Sequence, residues 1–460
     1  MLRSLDDTIA AISTPPGEGG IGIVRLSGND AVAIGRQVFR SKTGRDISTG
    51  KGRVFHGHAV DDNGAVIDEV LLHVMRAPHS YTREDVVEIN CHGGAGPLGA
   101  VLEQVLIRGA RLAQPGEFTQ RAFLNGRIDL VQAEAVIDRI QARTRASLRA
   151  ASSAASGMLS NAINEMKSTL VDALARIEAA VDFPDEDLPD LVDEGLRERL
   201  SGTRARMLEL LATAETGRLY REGAAIAIAG RPNVGKSSLF NALLRDARAI
   251  VSPQPGTTRD RIEELITLSG VPVRLTDTAG LRATHDEVER IGVEVARRAL
   301  ADADIVLFVV DASEPLMEED MRLAEELSAL ERPIWLAFNK TDLPSLAAAP
   351  DSWREWLRGS SRISATTGEG LAELERHLGS LLLGGAPISP DQGLITRAHQ
   401  RDSLRRAASA LERLLNNFGG SPEFLSIDLR EALSALAEIT GETTPEDVLD
   451  RIFASFCIGK

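Results

Sequence analysis

The stretch AAIAIAGRPNVGKSSLFNALL, residues 224–244, decides the reading of the chain. An apolar run, Ala224–Ala229, leads into Gly230–Ser237 (GRPNVGKS), and a helical pattern follows over Ser238–Leu244. Strand, glycine-rich loop and helix in that order match G-x-x-x-x-G-K-[ST] at every fixed position. Gly230 and Gly235 let the backbone curl so that successive N–H groups point at phosphate oxygens. The N-terminus of the next helix favours the same anion. Lys236 supplies a cation for β- and γ-phosphates, and the Ser237 hydroxyl suits Mg²⁺.

The partners of such a loop follow in order. A strand over Val271–Thr276 runs into Asp277-Thr278-Ala279-Gly280. The carboxylate can join a Mg²⁺ shell, and Gly280 lets a backbone N–H approach the γ-phosphate. After a strand at Asp304–Val310, a further strand at Ile334–Phe338 delivers Asn339-Lys340-Thr341-Asp342. Asp342 can accept two N–H bonds from guanine, a pair that adenine does not offer, so a mismatch leaves a carboxylate unsatisfied. Ser364-Ala365 after Ile363 resembles the last base-side loop. Together these specify a guanine-nucleotide domain of the Ras-like kind. Between loop and Asp277 lies Gly256-Thr257-Thr258-Arg259-Asp260, a candidate switch that closes on Mg²⁺ and γ-phosphate. Leu281 stands where Ras-like proteins carry the glutamine that orients water, so another group must do so. Asp286–Gly292 (DEVERIG) is either that source of charge or a solvated helix start.

Outward from this centre, 460 residues suggest about three domains. Apolar content of 43% with 26% charged residues is ordinary globular composition. No run of 18 or more apolar residues suggests a membrane span, and the N-terminal stretch lacks a secretion signal's apolar core. Two cysteines, Cys91 and Cys457, make no disulfide framework and point to a reducing, cytoplasmic setting. A net charge of −15 argues against general nucleic-acid binding; such contact must be a local patch or be shared with a partner.

Residues 1–120 read as mixed α/β, with strands expected at Ile21–Leu26, Val54–Val60, Val66–Met75 and Val86–Cys91 and helices at Ala31–Phe39 and Pro97–Arg108. Asp61-Asp62-Asn63-Gly64 is a hairpin signal. The glycines of GEGGIG at 17–22 are wrongly spaced for a dinucleotide fingerprint. Residues 121–222 become helical, broken at Phe183–Asp187, which reads as a solvated connection. Residues 223–383 alternate strand and helix, and 384–460 are helical again. The economical arrangement is one helical domain with the α/β unit inserted into it.

GRPNVGKSSLFNAL, GTTRD, DTAGLR, DEVERIG and the FCIGK at Phe456–Lys460 resemble the MnmE (TrmE) family of bacterial tRNA wobble-uridine modification GTPases. The resemblance extends through TPPGEGGIGIVRLSG, HGG, PGEFTQRAFLNGRIDL and AVDFPDED, so it covers the whole chain. It implies a folate-binding α/β N-terminal domain, an α-helical domain and an inserted Ras-like P-loop GTPase domain. It also implies a homodimer, a complex with the flavoprotein MnmG, and addition of an aminomethyl or carboxymethylaminomethyl group at uridine C5. The one-carbon donor is a tetrahydrofolate derivative, 5-formyl- or methylene-tetrahydrofolate. A regulatory GTPase of ribosome assembly is the alternative, but it needs neither residues 1–120 nor FCIGK.

By motif match, GTP contacts are implied at Asn233, Val234, Gly235, Lys236, Ser237 and Ser238, and at Ser252, Pro253, Gln254, Pro255, Gly256, Thr257 and Thr258. Further contacts are implied at Asp277, Thr278, Ala279, Gly280, Asn339, Lys340, Asp342, Ser364 and Ala365. Mg²⁺ falls to Ser237 and Thr258. The family uses K⁺ in place of an arginine finger, and Asn233 with carbonyls of Ser252, Gln254 and Thr257 would hold it; such a cation meets developing charge as a guanidinium does. Glu289 matches the catalytic glutamate that orients water, with Arg282 in the same switch. Folate contacts are implied at Arg25, Glu88, Arg127 and Lys460. At 127 the family pattern has lysine, so a point charge becomes a planar fork. Cys457 is either a packing group among Phe453, Phe456 and Ile458 or a group near the modification centre. Cys91-His92 is too few ligands for a metal, and His92-Gly93-Gly94 reads as a folate-site turn.

Overall fold

A computed structural model describes residues 6–48, 53–182, 192–246, 263–277, 297–385 and 388–460. The chain divides into two compact units, Met1–Ile137 with Ala437–Lys460, and Asp138–Leu436.

The first unit is built on a seven-stranded sheet in the order β3-β4-β5-β6-β2-β1-β7. Its strands are β1 (Ile9–Ile12), β2 (Gly19–Ser27), β3 (Phe39–Ser41), β4 (Arg53–Val60), β5 (Val66–Met75), β6 (Val86–Gly93) and β7 (Arg111–Leu112). All neighbours are antiparallel except β1 and β7. In β2 the alternation buries Val24 and Leu26 and leaves Ile21 exposed, the pattern of a strand with one covered face. Helices Ala31–Val38 and Ala95–Ile107 contribute to a core with Leu72, Val87 and Ile89. The β4–β5 turn is held by Asp61, whose carboxylate accepts from Asn63 N at 2.9 Å and Ala65 N at 2.8 Å, with Gly64 at φ 78°.

Arg121 is the largest fully buried side chain of this unit. It donates to the Asp7 carbonyl at 2.8 Å, Glu84 at 3.2 Å and Glu117 at 3.3 Å. A buried cation needs this many acceptors, because desolvation would otherwise dominate. The C-terminal segment folds back into the same unit. Leu449, Phe453 and Phe456 pack with Leu130, Ala133 and Ile137.

The second unit holds a six-stranded sheet in the order β13-β12-β11-β8-β10-β9. The strands are β8 (Ala224–Ala229), β9 (Glu263–Leu268), β10 (Val271–Asp277), β11 (Ile305–Asp311), β12 (Ile334–Asn339) and β13 (Leu357–Arg362). Only β9–β10 is antiparallel. β11 and β12 are buried along their whole length, as strands covered on both faces require. Helices Arg145–Ala155, Met158–Asp182, Glu194–Ala212 and Ala214–Glu222 precede the sheet, and Ala398–Asn416 follows it. The last packs against Glu194–Ala212, with Arg204 and Glu412 paired at 2.7 Å, so helices from both sides of the sheet meet. The fold is thus an α/β N-terminal domain, a helical domain and a P-loop α/β domain set within the helices. The Ser269-Gly270 turn between β9 and β10 reaches the helical part, where Thr144 Oγ1 donates to the Gly270 carbonyl at 2.7 Å.

Gly116 sits at φ 71° before helix Glu117–Leu124, and a Cβ there would lie 2.4 Å from the Phe453 carbonyl oxygen. Gly116→Ala is expected to cost about 1–3 kcal/mol, through strain and displacement of the C-terminal helix. Urea unfolding measures this; an unchanged midpoint would show that the contact yields freely.

Candidate functional site

β8 pairs with β10 on one side and β11 on the other, which makes the carboxyl end of β8 the point where strand order reverses. The loop of residues 230–235 leaves the sheet there and enters helix Lys236–Asp246. Its glycines are demanded by sterics. A Cβ at Gly230 would lie 2.4 Å from the Val309 carbonyl, and one at Gly235, at φ 95°, would lie 2.3 Å from Asn339 Nδ2. Asn233 takes φ 66°, a conformation that asparagine tolerates better than most residues.

Lys236 is 6% exposed and donates from Nζ to the Arg231 carbonyl at 2.7 Å. Ser237 Oγ donates to Asp277 Oδ2 at 2.9 Å, at the end of β10. A hydroxyl beside a carboxylate is the hard-oxygen donor set that Mg²⁺ prefers, so these two side chains fit that ion.

The residues that the sequence assigns to base reading meet the loop directly. Asn339, 2% exposed, donates from Nδ2 to the Val234 carbonyl at 2.9 Å. Its Oδ1 accepts from Ala365 N at 3.0 Å. One carboxamide therefore joins three segments far apart in sequence. Ser364 Oγ donates to Asp342 Oδ1 at 2.6 Å and accepts from Thr367 N at 3.1 Å. Lys340, at φ 66°, donates to Asp311 Oδ2 at 2.5 Å. Burial works to raise the Asp311 carboxyl, but hydrogen bonds from Lys340 and Ser313 outweigh it and hold the group below the usual carboxylate range. Asp311 was not anticipated from sequence. Its signal was a carboxylate closing an apolar parallel strand, IVLFVVD, at the same sheet end as Asp277. Ser238 lies in the first turn of the helix and is exposed. Ser252, Pro253, Gln254, Pro255, Gly256, Thr257, Thr258, Thr278, Ala279, Gly280, Arg282 and Glu289 lie outside the described residues, as does Phe183–Asp187.

The family description "MnmE helical domain" matches residues 130–457, and "GTP-binding protein TrmE N-terminus" matches residues 8–127. A tRNA modification GTPase MnmE of Heliobacterium modesticaldum is 48% identical over 466 residues, covering 99% of each chain. That of Chloroflexus aurantiacus is 48% identical, covering 99% of this chain and all of its own. That of Geobacter sulfurreducens is 46% identical with the same coverage. This chain belongs to the MnmE family of tRNA modification GTPases.

The TrmE N-terminal part of this MnmE-family chain carries a second cluster. Arg25 on β2 and Glu88 on β6 are register partners, paired Nε to Oε1 at 2.8 Å. Arg25 Nη1 also donates to the Gly459 carbonyl at 3.1 Å. The Arg25 guanidinium lies 5.7 Å from the Tyr81 and Phe118 rings, and that of Arg127 lies 4.5 Å from Tyr81. These are cation–π distances, so Tyr81 ties together two of the positions that the resemblance singled out. Gly459, at φ 91°, packs so closely on β1 that a Cβ would lie 2.5 Å from the Ile12 carbonyl. Lys460 is half-buried, and its backbone N–H donates to the Cys457 carbonyl at 3.3 Å. The FCIGK stretch is thus seated against the strand carrying Arg25 and its neighbour, with Phe456 inward.

Cys457 is exposed, so the packing role falls to Phe453 and Phe456. Cys91 is buried, and its thiol is pushed up to about 12 by burial and by nearby Asp68. His92 is exposed and hydrogen-bonded through Nδ1 to Asp68 at 2.7 Å. A Cβ at Gly93 would lie 2.4 Å from the Gly19 carbonyl, so glycine there serves the β2–β6 approach.

Two outcomes are expected. Asn339→Ala strands the Val234 carbonyl and the Ala365 N–H and should cost about 2–4 kcal/mol in stability; an unchanged thermal midpoint would remove the bridging role. A thiol reagent at neutral pH should modify Cys457 in the native protein and spare Cys91. Mass spectrometry reads the site, and equal labelling would contradict the burial of Cys91.

Proposed function

We propose that this chain is a K⁺-stimulated GTP hydrolase that acts with MnmG to install an aminomethyl or carboxymethylaminomethyl group at C5 of the tRNA wobble uridine. The observation that carries the nucleotide reading is the Asn339 carboxamide joined to both Val234 and Ala365. It joins the loop after β8 to the loops after β12 and β13, which supports a single guanosine triphosphate spanning them.

In this reading Lys236 would meet the β- and γ-phosphates, while Ser237 and Thr258 would ligate Mg²⁺, with the Asp277 carboxylate helping to hold its shell. Asp342, aligned by Ser364, accepts the guanine N–H pair. Mg²⁺ would neutralise phosphate charge. K⁺ would do the work of an arginine finger, held by Asn233 with carbonyls of Ser252, Gln254 and Thr257. Glu289 orients the attacking water, and Arg282 assists in the switch. K⁺ suits the position because Asn233 is exposed on the loop at the phosphate-facing turn.

Arg25, Glu88, Arg127 and Lys460 bind a tetrahydrofolate derivative, with the exposed Cys457 beside them. A carboxylate next to a guanidinium can read the donor and acceptor edge of a pterin, and Arg127 offers a fork to an anionic tail. The protein works as a homodimer. With a net charge of −15, contact with tRNA is local or shared with MnmG.

GTP turnover in K⁺ buffer is expected to exceed that in Na⁺ buffer by about tenfold or more, the scale of a lost charge-stabilising group. Equal rates would defeat the K⁺ role. Wobble uridine in tRNA from cells lacking this protein should carry no C5 aminomethyl substituent, as read by nucleoside mass spectrometry. Normal modification there would exclude the tRNA role.

A further inference from the structure

Arg231 occupies a position that the phosphate-loop pattern leaves free, G-x-x-x-x-G-K-[ST] placing no demand on it. Its side chain is nevertheless firmly committed. Nε donates to Asp320 Oδ2 at 3.1 Å, and Nη2 donates to Glu314 Oε2 at 2.6 Å. Asp320 belongs to the first turn of helix Glu318–Ser328, and its Oδ2 also accepts from Met317 N at 3.0 Å. The carboxylate is 2% exposed, and its other oxygen, Oδ1, is buried with no hydrogen-bond partner among the described residues. A carboxylate so placed is tolerated only with a cation held close, so the geometry of Arg231 is strongly constrained by Asp320. Glu314 lies in the segment that follows β11, ahead of the same helix. The fork therefore bridges two points on one segment behind the loop.

The backbone of Arg231 carries the consequence. Its carbonyl oxygen is the acceptor for Lys236 Nζ at 2.7 Å. Lys236 is almost fully buried, so the direction of its ammonium depends on the acceptors around it. On the other side, Gly230 is pressed against the Val309 carbonyl of β11. The backbone leading into the Arg231 carbonyl is thus held at Gly230 by backbone contact and at Arg231 by an ion-paired side chain.

We propose that Arg231 is a positioning residue for GTP: anchored by Asp320 and Glu314, it fixes the carbonyl that aims Lys236 at the β- and γ-phosphates. This rests on the nucleotide-site reading given above. Arg231 itself touches no phosphate in this scheme. Loosening the anchor weakens the hold on the triphosphate and leaves the reading of the base intact, because Asp342, Ser364 and Asn339 are held by other bonds.

The test uses the full chain with Arg231→Lys and Glu314→Gln. Lysine keeps the charge beside Asp320 but cannot span both carboxylates. Glu314 is half-exposed, so its variant removes one anchor with little risk to folding. Dissociation constants are measured for GTP and for ITP, which lacks the 2-amino group read by Asp342, together with the thermal midpoint. Arg231→Lys should weaken GTP and ITP together by about tenfold, the scale of a lost charge-assisted bond. Glu314→Gln should give a smaller loss of the same form. The GTP/ITP ratio and the thermal midpoint should stay at the wild-type values. Unchanged GTP affinity in both variants would overturn the proposal, and so would a loss confined to the GTP/ITP ratio. Wild-type protein that binds neither nucleotide would instead refute the nucleotide-site reading itself.

Discussion

The second unit depends on one hydrogen-bonded side chain, the carboxamide of Asn339. It is buried, and both of its polar ends are satisfied by backbone from other loops, Val234 on one side and Ala365 on the other. A buried amide with both ends paired is worth more than its net energy suggests, because each partner would be costly to leave alone. The loop after β8, the strand end of β12 and the loop after β13 are therefore fixed to each other before any ligand arrives. Preorganisation of this kind lowers the ordering cost of binding a charged nucleotide.

Charge is handled differently in the two units. In the first, Arg121 is surrounded by Asp7, Glu84 and Glu117, and burial opposes the ionisation of Glu117 while bonds from Arg111 and Gln114 N–H more than compensate. In the second, Lys340 pairs with Asp311 at the end of β11, and Arg231 on the loop after β8 pairs with Asp320 in the helix that follows β11. The first network fills a core. The second ties down loops at one end of the sheet through cations carried on the loops themselves.

Legibility in the sequence followed how local each signal was. AAIAIA and the run closing at Asp311 announce buried parallel strands because each is apolar along its length. Asp61-Asp62-Asn63-Gly64 announces its hairpin because the Asp61 carboxylate closes the turn within five residues. β13 (LRGSSR) gave no such signal. It is an edge strand with polar faces, and only pairing with β12 makes it a strand. β1 and β7 were also invisible, being short and joined across about a hundred residues. The functional motifs were readable as types, yet Asp311, Asp320 and Glu314 belong to no motif. Their roles come from proximity in space. The seating of FCIGK against β1 and β2 was likewise beyond any local pattern, since Arg25 and Gly459 stand at opposite ends of the chain.

The space beside Gly235 is taken by the amide nitrogen of Asn339, 2.3 Å from where a Cβ would stand. Two motifs separated by about a hundred residues are therefore mutually exclusive claimants on one small volume. Enlarging the first evicts the second, and shrinking the second leaves a carbonyl stranded without freeing the first from its left-handed turn.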